Sequence, residues 1–399
     1  MTQRQILILL LLTMITPCLW AQKKELSQAR SYIKSGKDYD KAEKLMVDLL
    51  ANPSNRDNAK IYATWYDAIS GQYAQANEKL YLKQAYDTAA FFNITKRMYQ
   101  VAQSLDSLDV RPDEKGRVKP EYRKDHAEQL NQLRPNLYYG GTYSVRREDY
   151  KTAFSYFDLY LDAARQPLFT GYKFLQNDKL ISQAAYWATL CGFKLRNPQM
   201  TLKYSQLAMT DYDKSKFVYQ YMCEAYHQLK NQEEYMKTLN LGFKLFPTYP
   251  YFFPRLADHY KAQGDNDKLL QLADIGLRKA PDNALFLLAK SIALLNMNRY
   301  DECIDVSRKM IATNKNQAEP YFNIATCYLN QALVLEQLNE PRKYHDQLVK
   351  LYNSACPNME KYRELAPNDS QRWGPALYRI YLNLNKGKQF DEIDRLMRK

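Results

Sequence analysis

Apolar residues return along most of this chain at i, i+3, i+4 and i+7, the spacing of one face of a helix. The clearest stretch is YFFPRLADHYKAQGDNDKLLQLADIGLRKAPDN, starting at Tyr251. It reads as a helix, a turn at Gly264-Asp265, a second helix and a closing Pro281. The pattern then repeats. Phe253, Leu287 and Tyr321 stand 34 residues apart, as do Ala257, Ser291 and Ala325, and Tyr260, Leu294 and Tyr328. Each unit buries its apolar face only against its neighbours, so a fixed period of this length predicts a helical array.

Weaker copies flank these units. Ser31–Pro53 carries Tyr39, Ala42, Met46 and Leu49, and Asn136–Pro167 carries Gly140-Gly141, Tyr150, Ala153 and Phe157. Ala184–Met209 and Phe217–Phe246 read as two more pairs, the latter with a longer turn. The unit from Asn283 has Lys315 in place of the closing proline and Cys303 in place of the small alanine. The unit from Glu319 is extended, with a first helix to Gln337 and a second, Lys343–Leu365, interrupted near Pro357. Arg372–Leu384 and Phe390–Met397 form a terminal cap, and Ala59–Ile69 with Leu80–Leu108 form a long-helix pair. Segment 111–135, with Pro112, Gly116, Pro120 and Pro135, reads as a basic linker between N-terminal repeats (22–110) and the main array (136–399). About eight helical pairs are expected in an all-α superhelix.

Two antiparallel helices approach closely only where side chains are small, with large residues filling the flanks. Phe253, Ala257, Tyr260 and Pro281 satisfy that demand at positions that resemble the tetratricopeptide repeat. The signal ending in Ala-Gln, the block DEKGRVKPEYRK…LRPNLYYGG and the phrase ARQPLF resemble exported tetratricopeptide proteins of the Bacteroidota type. That resemblance implies an α-α solenoid and is nearly silent on function; the chain is read as a non-catalytic scaffold or adaptor with a protein or peptide partner in the cell envelope.

The N-terminus supplies the address. Arg4 precedes the apolar run ILILLLLTMI, Pro17 breaks it, and Ala21 offers a small exit residue. This is a secretory signal over residues 1–21, too short to anchor, with lipidation at Cys18 as the minor alternative. The mean hydropathy of −0.61 excludes a polytopic membrane protein, and no other stretch reaches spanning length. The chain is expected to be exported, and periplasmic, outer-membrane-associated or secreted, with no transmembrane segment after cleavage. The net charge of +13 suits an acidic partner or an anionic surface, and nucleic acid is not expected for an exported chain. Five cysteines remain after cleavage, widely spaced, and read as small apolar residues in helix interfaces.

Catalytic signatures are missing from the sequence. GxxxxGK[ST], GxSxG and HExxH do not occur, and His126, His227, His259 and His345 lie far apart. Glu233-Glu234 and Asp301-Glu302 fall at helix starts, where they favour the helix dipole. No metal or cofactor is expected.

Some tetratricopeptide arrays read a partner's terminal carboxylate with Lys, Asn and Arg on the first helices. Here the matching positions hold Pro254, Asp258, Leu288, Ile292, Phe322 and Thr326, so no such clamp is expected. The lining reads Leu288, Ile292, Leu295, Phe322 and Leu329, a groove for an amphipathic helix or extended peptide, unless Lys343–Leu365 covers it. Arg117, Lys119, Arg123, Lys124, Arg146 and Arg147 form a candidate patch for an anionic partner, with a solvated loop as the plain alternative. The chain holds 34 tyrosines, and Tyr138, Tyr139, Tyr249 and Tyr251 exceed what repeat packing requires. They open an alternative, a helical protein that captures glycan or peptide.

Overall fold

The computed structural model describes residues 22–338 and 340–398. The expected signal, with Cys18, lies outside the described residues. Two compact units divide the chain, the first reaching Gln232 and the second starting at Glu233.

The first unit holds α1 (22–35), α2 (Tyr39–Ala51), α3 (Ala59–Tyr81), α4 (Thr88–Asp109), α5 (Arg123–Arg146) and α6 (Tyr150–Asp162). A 3-10 turn at Pro167–Tyr172 leads to α7 (Phe174–Asn177), α8 (Ile181–Lys194), α9 (Pro198–Lys203), α10 (Ser205–Ala208) and α11 (Tyr212–Gln228). The second unit holds α12 (Gln232–Leu245), which begins one residue before the boundary, then α13 (Phe252–Gln263), α14 (Asn266–Lys279), α15 (Ala284–Asn296) and α16 (Tyr300–Thr313). It ends with α17 (Ala318–Glu336), α18 (Pro341–Leu365), α19 (Ser370–Asn383) and α20 (Gly387–Met397). From α13 onward each helix packs on the next, while α15 also touches α17 and α17 touches α19. First helices of successive pairs therefore stack on one another, as a repeat array requires.

The period is written into the turns. Lys230, Gly264 and Asn298, at intervals of 34 residues, all take left-handed backbone, with φ of 55°, 68° and 59°. The next N–H then reaches back to the last turn of the preceding helix: Asn231 to Tyr226, Asp265 to Tyr260 and Arg299 to Leu294, at 3.0, 3.0 and 2.9 Å. This closure satisfies a carbonyl at the helix end and reverses the chain within two or three residues. Gly264 and Asn298 are residue types suited to it, and Lys230 is not. The start of the following helix is often capped, as where Asp265 accepts from the Lys268 N–H at 3.0 Å.

Packing between units of the array has its own period. Gly242 and Gly276, 34 residues apart, face the rings of Phe252 and Phe286, which are 34 apart in turn. A Cβ at Gly276 would stand 2.7 Å from Phe286, and that ring is only 3% exposed. Gly276→Ala is therefore expected to lower stability by about 1 kcal/mol, because overpacking outweighs the gain in helix propensity. Gly387→Ala, with open space around its Cβ, is expected to raise stability slightly. Paired urea titrations check the two signs.

Several elements differ from the sequence reading. Only 111–122 of the expected linker lies outside helices, because α5 begins at Arg123 and carries Pro135 inside it. The break expected between Ile69 and Leu80 falls instead after Tyr81, where Lys83 takes φ 56° and Asp87 caps Ala89 at 2.8 Å. Pro357 does not interrupt α18; it sits on the exposed side of a continuous helix. The turn between α11 and α12 spans three residues, the same as that between α15 and α16. All five described cysteines are buried. No helix among the described residues is long and apolar enough to cross a membrane.

Candidate functional site

The array positions two kinds of surface in the second unit. On α15, Leu288, Ile292 and Leu295 are half-buried, while Leu287 and Leu294 point into the core at 3% and 0% exposure. Leu295 also leans on the cluster formed by Leu294, Cys303, Ile304, Ile324 and Cys327. Within that cluster the two thiols lie side by side, with the Cys303 thiol against the Ser291 carbonyl at 3.2 Å.

On α17 the outcome differs. Leu329 is core: it is 8% exposed and packs with Tyr352, Cys356, Met359 and Tyr362 of α18. Phe322 is half-buried, 5.0 Å from the Tyr362 ring and under the Arg372 guanidinium at 3.7 Å. Arg372 is fixed there by Glu319 through two hydrogen bonds of 2.8 and 2.9 Å. So α18 buries Leu329, and Phe322 is partly covered by Tyr362 and Arg372, while Leu288, Ile292 and Leu295 stay half-buried on α15. The cause is the extension of α17 and α18 beyond the usual repeat length. It creates a helical pair with more apolar surface than one neighbour covers.

The extension also leaves a cavity of about 490 Å³ that sequence reasoning missed. Tyr300, Val334, Leu335 and Leu351 supply its apolar walls, and Gln331, Gln347 and Lys350 its polar edge. Val334 is 53% exposed and its neighbour Leu333 is 41% exposed. The signal lay in the length of the first helix, since the apolar residues Leu333, Val334 and Leu335 fall past the point where a repeat of this type turns. Adjacent in sequence to the lining residues Leu335 and Leu351, Glu336 and the Tyr352 hydroxyl accept from Arg379 at 2.7 and 3.0 Å.

The basic residues do not form one surface. Arg117 pairs with Asp113 at 2.7 Å, and Arg123 grips Asp106 through two bonds of 2.6 and 2.8 Å. Lys119, Lys124 and Arg146 are exposed, and Arg147 lines a separate cavity in the first unit. Of the surplus tyrosines, Tyr138 and Tyr251 are buried at 9% and 7% exposure and Tyr249 is half-buried, leaving Tyr139 exposed.

Among the described residues of the first unit, Arg134 is a buried cation. Arg134 lies between the rings of Tyr160 and Phe174, 3.7 and 3.9 Å from their centroids. It donates to Asp178 and to the Tyr160 carbonyl, the latter at 3.0 Å. Burial pushes the Asp178 carboxyl up, but the Tyr160 hydroxyl, the Leu180 N–H and Arg134 together hold it below the ordinary carboxylate value. This ties the Pro167–Tyr172 turn and α7 to α5 and α6 and is a structural lock.

No known family profile matches the chain, and no curated protein matches it. Among solved structures it is similar to the TPR domain of P58(IPK), at 13% identity over 92% of this chain and 99% of that one, with a TM-score of 0.27. Yeast Tom70 is 14% identical over 92% and 89%, with a TM-score of 0.31. The TPR2AB domain of yeast Sti1, solved in complex with pHSP90, is 16% identical over 75% and 98%, with a TM-score of 0.26. The decisive observation is the 34-residue recurrence of left-handed turns, helix closures and glycine–aromatic contacts within the chain itself. The fold is all-α and tetratricopeptide-like.

Proposed function

We propose that this protein is a non-catalytic, exported scaffold of the Bacteroidota tetratricopeptide type that holds a protein partner in the cell envelope. The supporting observation is the open apolar cavity along α17 and α18, with Val334 and Leu333 exposed beside it. Apolar surface left uncovered at a helix pair suits an amphipathic segment of a partner, whose apolar side chains fill the cavity while its polar face meets Gln331, Gln347 and Lys350. The half-buried Leu288, Ile292 and Leu295 on α15 offer further contact area in the same unit.

Capture of one defined protein from envelope extract by the intact chain is the expected result, and a chain that captures none contradicts the proposal. Export has its own check. Mass spectrometry of the native protein is expected to give an N-terminus at Gln22, whereas a lipid-modified Cys18 or an intact Met1 overturns that part.

A further inference from the structure

The cavity that Arg147 lines lies in the first unit, away from any surface used above, and measures about 780 Å³. That is within the range of small-molecule sites. It is framed by the start of α4, the end of α5 and the start of α6. Two cations and two carboxylates line it: Lys96 and Arg147, Asp87 and Asp149.

The four charges differ in what they have left to offer. Asp87 accepts from the N–H groups of Ala89 and Ala90 at 2.8 and 3.4 Å, capping α4. Asp149 caps α6 through the Thr152 N–H at 3.1 Å, and the Thr152 hydroxyl and N–H hold its carboxyl below the ordinary value. Both carboxylates are thus engaged by their own helices. Lys96 donates one hydrogen to the Ser155 hydroxyl at 2.7 Å, and Arg147 donates one to the Tyr143 hydroxyl at 2.6 Å. Neither cation forms an ion pair with a carboxylate among the described residues. A lysine ammonium has three donors and a guanidinium five, so both cations keep several donors unspent. Lys96 is half-buried, and burial pushes its proton affinity below the ordinary lysine value, with Asp149 only partly restoring it. Half-buried and with no carboxylate in direct contact, this ammonium can still pair with an incoming anion.

The walls are aromatic. Tyr156 lies under Lys96 at 5.3 Å, Tyr143 under Arg147 at 5.1 Å, and the rings of Phe92 and Tyr143 are 6.0 Å apart. Flat apolar faces beside unspent donors fit a ligand with a ring-shaped body and an anionic group.

We propose that this cavity binds a small organic carboxylate, its charge held by Lys96 and Arg147 and its ring resting against Tyr143 and Phe92. The site is independent of the scaffold reading, since it shares no residue with the apolar cavity of the second unit.

Calorimetric titration tests it with four probes: sodium glucuronate, its methyl ester, 4-hydroxyphenylacetate and its methyl ester. The first pair presents a sugar ring and the second an aromatic ring, so the two arms separate the sources of the carboxylate. Saturable one-site binding is expected for at least one acid, with its ester at least about tenfold weaker. Lys96→Met and Arg147→Gln are each expected to weaken that acid by about tenfold or more, while Lys203→Met, which removes an exposed lysine paired with Asp158, changes nothing. Arg147 is exposed, so its variant reports binding even if Lys96→Met perturbs folding. Binding of neither acid, equal binding of acid and ester, or unchanged affinity in the Arg147→Gln protein overturns the proposal.

Discussion

Replacing Arg134 with methionine is expected to destabilise the first unit by about 3–5 kcal/mol, the usual cost of stranding one member of a buried ion pair. Arg134 is 5% exposed, flanked on both sides by the rings of Tyr160 and Phe174, and it faces Asp178. Methionine fills much of the space but leaves the Asp178 charge without its cation. Asp178→Asn in the same background is expected to recover part of the loss. Asparagine removes the charge yet still accepts from the Leu180 N–H, as Asp178 does at 2.9 Å. The pH dependence has a definite sign. The Asp178 carboxyl is held below its ordinary value in the folded chain, so the pair contributes fully above the unfolded carboxylate pKa of about 3.9. Its contribution is lost as pH falls through the lower folded value, and the gap between native protein and Arg134→Met narrows there. Urea titrations at neutral and acid pH, followed by circular dichroism, measure both effects.

Leu294→Ala is expected to cost about 2–5 kcal/mol, as for a leucine lost from a packed core. Leu294 has no exposed surface and packs with Cys303, Ile304, Ile324 and Cys327. Ile292→Ser, two residues away on α15 but half-buried, is expected to cost well under half as much. Phe322→Ser belongs with Leu294 and not with Ile292, because its ring supports Arg372 and touches Tyr362. Denaturant unfolding of the three variants separates them. Equal losses for Ile292→Ser and Leu294→Ala would mean that the α15 face is core throughout.

The helices of the second unit were legible because their apolar positions keep both the helical spacing and the 34-residue period. The turns were less so. Gly264 and Asn298 are residue types that take left-handed backbone readily, but Lys230 adopts it because the helix closure demands it, at a strain its residue type does not reveal. Pro135 and its neighbours read as linker because proline and charge usually mark one. The pairing that makes Arg134 a buried residue comes from Asp178, 44 residues on, and from rings on two other elements. The candidate site shows the same limit. The apolar side chains of α15 and α17 were visible as helix faces, but which of them α18 covers depends on how two extended helices meet. The cavity at Val334 pairs residues of α17 with Tyr300 and Leu351, contacts no local pattern encodes.

The claim that the α17–α18 cavity receives a protein partner is tested most directly by Val334→Glu. Val334 is 53% exposed, so glutamate there is expected to change stability by no more than about 0.5 kcal/mol while placing a charge on an apolar wall. Leu285→Glu, at 56% exposure and outside the cavity, is the matched control. The partner captured from envelope extract by the native chain is expected to persist with Leu285→Glu and to disappear with Val334→Glu. Undiminished capture by the Val334→Glu protein would contradict the account.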